Sequence, residues 1–321
     1  MSEDSRIDVV YTWVNGDWPG YRDLLQSQAR KPQDLNPNRY RDNLDLLRYS
    51  LRSLDTHVPW AGCVHLVTAR PQVPAWLRTD ADGLRLVHHD EFMDAADLPT
   101  FNSFAIVSNL HRLPGVSRRF LYVEDDYLFG RTVAEGDFIA RDGRIRVYRK
   151  LEHLVAASRE EHPALSPWEA ALARTNRLLD ERYGRARRRI VAHAPLILDV
   201  ASWQGMVQRW PEDFRRTSSS RFRSAGNVAP EQLYGYYMLY EGGGVAVPTL
   251  AAYRDSAYVG LDNWLPWQRL ALAYLRWARP KFYCLNDGFG ERPNAKVVAL
   301  VRDALEAASP RPSRFERPSS A

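Results

Sequence analysis

Between residues 7 and 126, short β-branched and aromatic runs alternate with segments of helical periodicity, and this constrains the 321-residue chain more than any other feature. Ile7-Asp-Val-Val-Tyr-Thr-Trp-Val14 reads as a buried strand halted by the turn signal Asn15-Gly16-Asp17. A helix is expected over Asn38–His57, with Leu44, Leu47, Leu51 and Leu54 near one face and Pro59 past its end. Cys63–Thr68 and Leu84–His88 read as further strands. Phe104–Leu113 reads as a helix, with Ser103 as N-cap and Pro114-Gly115 as its stop. Phe120–Val123 is a strand with Glu124-Asp125-Asp126 at its carboxyl end. Such alternation predicts an α/β fold, a mostly parallel sheet with helices on both faces. Ligands of open α/β sheets bind beyond the carboxyl ends of the strands. That rule sets Asn15-Gly16 and Asp125-Asp126 on one edge.

The texture then changes. Phe138–Ile139 and Ile145–Tyr148 flank Arg141-Asp142-Gly143, a hairpin signal. Helices are expected over Pro167–Tyr183, Val200–Trp210, Pro230–Tyr240 and 292–308, and short strands over Val245–Val247 and Phe282–Leu285. Residues 1–308 should form one unit: an α/β core from about 1–135 and 245–308, and a mainly helical part over about 150–243 that covers the site edge as a lid. The Pro/Ser/Arg-rich tail 309–321 is expected to be disordered.

Hydrophobic residues at 45% and charged residues at 26% exclude a largely disordered chain. No apolar run reaches the ~18 residues of a membrane span, and the acidic start Met1-Ser-Glu-Asp-Ser-Arg6 lacks the bases and apolar stretch of a signal peptide. Cys63 and Cys284 alone supply neither a disulfide framework nor a four-ligand zinc site, so a reducing cytoplasm is expected. A net charge of +5 suits an anionic ligand but is too modest for nucleic acid. The dinucleotide-binding glycine fingerprint, the phosphate-binding loop, the serine-hydrolase elbow and the zinc-protease helix are all missing from the sequence.

Several clusters carry chemistry. Tyr122-Val-Glu-Asp-Asp-Tyr127 puts three acids at the end of an apolar strand, where burial is costly unless a cation or proton compensates. A hard divalent ion takes carboxylate oxygens together with ligand phosphates; a solvated turn or an N-cap cluster is the plainer reading. His193, in Ile190-Val-Ala-His-Ala-Pro-Leu196, is either a satisfied core histidine or a catalytic group. Thr217-Ser-Ser-Ser-Arg-Phe-Arg223 concentrates hydroxyls and guanidiniums, a phosphate-binding set or an ordinary polar loop. Cys284-Leu-Asn-Asp287 ends a strand in a polar pair, a turn or a ligand. Bases from Arg39 to Arg48 oppose a helix dipole unless an anion sits there.

In chain order, four blocks resemble the conserved regions of the Stealth family, which includes bacterial capsular polysaccharide phosphotransferases and the animal lysosomal-enzyme GlcNAc-1-phosphotransferase. The first is Ile7–Gly16. The second runs from Arg41-Asp-Asn-Leu-Asp-Leu-Leu-Arg48 through Val67-Thr68 and Leu98-Pro-Thr-Phe-Asn-Ser103 to Glu124-Asp-Asp126. The third runs from Ala192-His-Ala-Pro195 through Trp210-Pro-Glu-Asp-Phe214 and Thr217-Ser218 to Arg223 and Glu231-Gln232. The fourth is Lys281-Phe-Tyr-Cys-Leu-Asn-Asp287. Glu124 stands where many members have asparagine, and Glu231 where aspartate is common.

The resemblance implies a GT-A-like nucleotide-sugar fold with a helical insertion. It implies transfer of a hexose-1-phosphate, N-acetylhexosamine-1-phosphate being expected, from a UDP-sugar to a glycan hydroxyl with release of UMP, in capsule or cell-surface polysaccharide synthesis. Asp8, Asp125, Asp126, His193, Arg223, Asn286 and Asp287 match the family's motif positions. On that basis Asp126, Asn286 and Asp287 hold Mg²⁺ or Mn²⁺, Arg223 grips the transferred phosphoryl group, and His193 or Asp125 is the base. Asn15, Gly16, Arg48, Thr68 and Ser218 meet nucleotide or substrate, and Asp8 is either a ligand or structural. The expected partners are the UDP-sugar and the glycan, with at most peripheral contact at the inner face of a membrane. A glycosyltransferase releasing UDP and a non-catalytic binder of anionic polymers are the alternatives.

Overall fold

The apolar run near the N-terminus becomes the middle strand of the molecule. In the computed structural model, which describes residues 6–318, strand β1 (Ile7–Thr12) lies between β2 (Ala61–Thr68) and β4 (Arg119–Glu124), parallel to both. Val9, Val10 and Tyr11 are fully buried because helices cover both sheet faces. β3 (Leu84–His88) adds outside β2, and β9 (Leu196–Asp199) closes the other edge antiparallel to β4, giving the order β3-β2-β1-β4-β9. Parallel neighbours require crossovers. Helix α1 (Tyr21–Gln28) and α2 (Leu46–His57) lie between β1 and β2, and α3 (Ser103–Ser108) lies between β3 and β4. Thr12 pairs with Val67 and with Glu124, and Thr68 with His88, so four carboxyl ends share one edge.

Beyond Asp126 the chain leaves this sheet. β5 (Tyr127–Phe129) pairs antiparallel with β12 (Phe282–Asp287), which runs parallel to β11 (Ser256–Leu261). Helix α9 (Leu265–Ala278) makes the crossover between β11 and β12, and α10 (Ala295–Ala308) packs beside it over a second core that includes Leu128, Val259, Leu261, Leu275, Leu285 and Val301. Two ribbons complete the strands. β6 (Ile145–Val147) pairs with β10 (Gly244–Ala246), and β7 (Arg149–His153) with β8 (Arg189–Val191). Helices α4 (Pro167–Tyr183), α5 (Val200–Arg209), α6 (Pro211–Ser218), α7 (Pro230–Tyr240) and α8 (Thr249–Asp255) fill the region between. No helix among the described residues is long and apolar enough to cross a membrane.

Most expected elements are present, and α4 starts as its sequence requires. Ser166 caps it, accepting from Glu169 N while the Glu169 side chain accepts from Ser166 N. Four expectations are corrected. The helix expected from Asn38 begins only at Leu46, because Asp45 adopts a left-handed backbone (φ 51°) and 3₁₀ turns precede it. Its N-cap neighbour is also revised at α3, where Asn102 and not Ser103 accepts from Phe104 N. The hairpin over 138–148 reduces to a single bridge, Ile139 to Ile145, and β6 turns to β10 instead. The stretch 150–243, expected as mainly helical, also supplies β9 to the main sheet.

The tail is the fourth correction. Residues 309–318 pack against the body: Phe315 is fully buried, and its carbonyl accepts from Arg78 N at 2.8 Å. Buried Glu316 receives Arg52 Nε at 2.7 Å and Arg52 Nη2 at 3.0 Å, and also pairs with Arg48. Residues 319–321, and the acidic start over 1–5, lie outside the described residues. Arg48 is therefore tied to the C-terminal segment, lying 5.9 Å from the centre of the Trp76 ring, rather than presented to a nucleotide.

Glu316→Gln should destabilise the protein by about 3 kcal/mol in urea melts, because Arg52 stays buried with its main partner neutralised. Burial raises the Glu316 pKa, but bonds from Arg52, Ser313 N and Arg48 outweigh it and hold the carboxyl below its ordinary 4.5. Its stabilisation is thus complete above pH 4.5 and lost as the pH falls through the lower folded value. The glutamine variant should lack that acid-side loss.

Candidate active site

The turn Asp125-Asp126 stands where β4 ends and β5 departs for the second sheet. Asp126 is held by that second sheet: its Oδ2 accepts from Asn286 Nδ2 and from Cys284 Sγ, both at 3.1 Å, and its carbonyl accepts from Leu285 N at 3.0 Å. Cys284 and Asn286 are two residues apart on β12 and so share a face. Asp287 is on the opposite one. It accepts two bonds from Arg41 Nη1, at 2.9 and 3.0 Å, and another from Phe289 N. The expectation that Asp287 joins Asn286 as a ligand is corrected by that alternation.

His193 follows β8 and reaches the same turn. Tyr127 OH donates to Glu124 Oε1 at 3.1 Å and lies 2.9 Å from His193 Nδ1. With the phenol's one proton committed to Glu124, Nδ1 carries the hydrogen of the imidazole contact. Nε2 then faces the acids, 3.8 Å from Glu124 Oε2 and 3.9 Å from Asp126 Oδ2. Burial disfavours the charged ring, but Glu124 and Asp126 outweigh it and raise the pKa to about 9. Tyr127 and Tyr258 stand edge-on to the ring, with centroids at 4.7 and 5.8 Å, and Tyr258 OH donates to Asn286 Oδ1 at 3.1 Å.

Negative charge is in excess here. Burial, followed by Asp126, Asp42 and Glu124, pushes the Asp125 pKa far above its ordinary value. Burial together with nearby acids also raises Asp42, which accepts Trp13 Nε1 at 2.9 Å, to about 7. Glu231, in the first turn of α7, is raised to about 7 by burial and Glu124. Only Asp126 of the triplet is lowered: burial opposes this, but bonds and charge from His193, Cys284 and Asn286 prevail.

Two buried atoms, Asp126 Oδ1 and His193 Nε2, have no hydrogen-bond partner among the described residues. Asp126, His193 and Cys284 present ligand atoms within 4.8 Å of one another. Burial and then Asp126 keep the Cys284 thiol protonated, as the donor it is to Asp126. That leaves mainly carboxylate and amide oxygens, a set that fits a hard divalent cation.

Arg223 brings positive charge to the other side. Phe222 stacks on Phe101 at 5.1 Å, and Phe101 N donates to Arg221 O, which fixes the loop. The Arg223 guanidinium lies 4.4 Å from the centre of the Phe104 ring and donates to Ser103 Oγ. It sits near enough to Glu124 and Glu231 to feel both charges. Behind it opens a cleft of about 580 Å³, lined by Arg30, Lys31, Arg221 and Arg223 and also by Asp34, Glu160 and Glu161, but not by the acidic triplet.

The remaining sequence candidates scatter. Asp8 sits four residues before the site edge and is satisfied by Cys63 N and Ser117 N at 2.9 Å and by His65 Nε2 at 3.3 Å, so it is structural. Asn15 organises its own turn, its side chain accepting from Asp17 N, while its backbone N–H donates to Gln72 Oε1 and its carbonyl accepts from Gln72 Nε2. Gly16 lies against Tyr40, where a Cβ would meet Tyr40 Cβ at 2.7 Å, and lines a second cleft of about 550 Å³. Thr68 is fully buried at the end of β2 with its hydroxyl unpartnered among the described residues. Ser218 accepts from Asn109 Nδ2 at 3.0 Å, joining α6 to α3. Asp42, Tyr127, Tyr258 and Cys284 were not singled out by sequence reasoning. For Tyr127, its place next to the acidic triplet was the signal.

This geometry defines a class: an α/β protein that gathers strand-end carboxylates, an imidazole and an arginine at one edge of its main sheet. The chain matches Stealth protein conserved region 2 over residues 39–147, region 3 over 192–240 and region 4 over 273–321, together more than half its length. It belongs to the Stealth family. An exopolysaccharide phosphotransferase of Streptomyces coelicolor is 37% identical over 324 residues, covering 99% of this chain and 54% of the relative. Another from Mycobacterium tuberculosis is 34% identical over 322 residues, covering 97% of this chain and 58% of the relative. The chain thus spans little more than half the length of these relatives. Among solved structures, a galactosyltransferase in complex with donor and acceptor sugar analogues overlaps 94% of this chain and 96% of its own, at 11% identity and a TM-score of 0.43. That overlay is loose, and the assignment rests on the sequence family. The resemblance of Ile7–Gly16 to the first region stands on its residues alone.

NMR titration of the cation-free protein should give His193 a pKa near 9. Glu124→Gln should lower it, since the glutamine removes one of the two carboxylates that outweigh burial. An unchanged value would show that Glu124 does not set the charge state of the ring.

Proposed function

We propose that this chain catalyses transfer of a hexose-1-phosphate, N-acetylhexosamine-1-phosphate being the expected group, from a UDP-sugar to a glycan hydroxyl during exopolysaccharide or capsule synthesis. The observation that carries the reading is the crowding of carboxylates at half-buried Glu124 and Asp125 and buried Asp126, set against His193 and Arg223 with Asp126 Oδ1 and His193 Nε2 unpartnered. The printed names of the relatives, exopolysaccharide phosphotransferases, agree with it. The two cysteines, both free, suit a cytoplasmic setting.

In this reading the acceptor oxygen attacks the sugar-linked phosphorus, the bond from that phosphorus to the UMP oxygen breaks, and UMP leaves. Mg²⁺ or Mn²⁺ would be held by Asp125 and by Asp126, which Asn286 Nδ2 steadies, and would supply charge neutralisation of the diphosphate when bound. Arg223, braced on Phe104 and Ser103, grips two phosphoryl oxygens with its planar fork. His193 Nε2 takes the acceptor proton, oriented by the Nδ1 contact to Tyr127. Once the neighbouring carboxylates are compensated, the pKa falls back toward the ordinary imidazole range, where a neutral ring is available at working pH.

Incubation with a panel of UDP-sugars and a glycan acceptor should release UMP and form a phosphodiester, read by anion-exchange chromatography and ³¹P NMR. UDP as the nucleotide product would make the chain a glycosyltransferase instead.

Asp125→Asn separates function from folding. The raised pKa means that the ionised carboxylate costs stability above its unfolded value, so the amide should leave the cation-free melting temperature equal or higher at neutral pH. It should nevertheless cut kcat/KM by more than about 100-fold and abolish the stabilisation given by Mg²⁺. A variant that still gained wild-type stability from Mg²⁺ would exclude Asp125 as a ligand.

A further inference from the structure

Helix α9 has two apolar faces, and only one is covered. Gln268, Ala271 and Leu275 are buried toward the second sheet. Trp267, Leu270, Tyr274 and Trp277 recur at helical spacing on an outer stripe, and Trp264 precedes the helix. These five are exposed by 64%, 46%, 63%, 49% and 82% in chain order from Trp264 to Trp277. A soluble surface scatters large apolar residues singly, whereas a continuous stripe of this kind marks a binding face.

The charge pattern identifies the occupant. From Asn263 to Asn286 the sequence contains no acid, but it carries Arg269, Arg276, Arg279 and Lys281. Lys281 is engaged by Asp137 and Asp255. The three arginines are exposed, and their side chains form no ion pair or hydrogen bond among the described residues. At 100° per residue, Arg269 and Arg276 fall next to each other on one flank of the outer stripe. Amphipathic tryptophan and tyrosine rings, flanked by unpaired guanidiniums on a helix that carries no carboxylate of its own, match the apolar–polar boundary of an anionic bilayer.

We propose that the outer face of α9 is a docking surface for anionic lipid membranes. Trp264, Trp267, Leu270, Tyr274 and Trp277 enter the headgroup–acyl boundary, and Arg269 and Arg276 meet lipid phosphates. The helix lies in the plane of the interface and does not cross it, since 14 residues of α-helix span only about 21 Å and one side is committed to the core.

The test is flotation of the whole chain with phosphatidylcholine vesicles and with vesicles that also contain phosphatidylglycerol. The chain should float with the anionic vesicles, weakly with the neutral ones, and less as salt rises. Arg269→Gln with Arg276→Gln should weaken anionic binding by about 25-fold, roughly fivefold for each charge removed. Trp267→Ser with Trp277→Ser should lower binding to both vesicle types. Both double variants replace solvent-exposed side chains, so their melting temperatures should match wild type, and either one suffices if the other fails to fold. Failure of the wild type to float with anionic vesicles overturns the proposal, as does wild-type flotation by both variants. A concentration-dependent dimer, seen by light scattering and lost in the tryptophan variant while vesicles are ignored, would assign the face to a second copy and likewise overturn it.

Discussion

Uncompensated negative charge at one strand end is the constraint around which this molecule is arranged. Glu124, Asp125 and Asp126 stand where the main sheet finishes, with Asp42 and Glu231 close enough to raise the local cost further. Folding stability alone would not select such a cluster, because like charges at low dielectric repel and each buried carboxylate loses hydration. Part of the charge is met internally by hydrogen bonds to Asp126 and by the His193 ring. The rest is left over. It shows as the raised pKa values of Asp125, Asp42 and Glu231, which hold on to protons that ordinary carboxyls would release.

The second sheet is what makes the cluster a site and not merely a repulsive turn. Departure of β5 from the main sheet brings β12 alongside Asp126, and strand alternation then decides which β12 residues take part. Cys284 and Asn286 face the acid, while Asp287 turns to Arg41. The Arg41–Asp287 pair is therefore a staple between the loop before α2 and the end of β12, and it helps to hold Asn286 at its place one residue earlier. Two motif blocks separated by some 240 residues meet in that one contact.

The parallel core was legible because its strands are short, β-branched and ended by glycine and proline signals, and because the carboxyl-edge rule needs only strand order. The acidic triplet and His193 were legible for a related reason: polar residues in apolar surroundings demand an explanation. Asp8 looked equally suspicious, yet the sequence cannot show that Cys63 N and Ser117 N satisfy it from neighbouring segments. Arg48 misled in the same way, since its partner Glu316 lies 268 residues away in a tail whose proline and serine content resembles disorder. One buried phenylalanine, Phe315, and one buried carboxylate outweigh that composition. Helix α9 was not among the expected elements, although apolar residues surround most of its circumference and a proline stands in its first turn.

That same circumferential pattern ties the two faces of the second sheet together. β12 presents Cys284 and Asn286 toward the site, while Leu285, on the other side of the strand, packs into the core beneath α9 and α10. The outer stripe of α9 thus lies behind the acidic edge by one sheet-to-helix spacing plus one helix diameter, on the order of 20 Å. A membrane docked on that stripe would sit within reach of an acceptor carried at its surface, without the chain having to enter the bilayer. The two arginines on the flank also give the attachment a sign: they favour anionic lipid while leaving the carboxylates of the site on the opposite face of the sheet, away from lipid phosphates that would repel them. Separation of the basic, apolar face from the acidic edge by a single buried strand is what allows one small sheet to serve both surfaces.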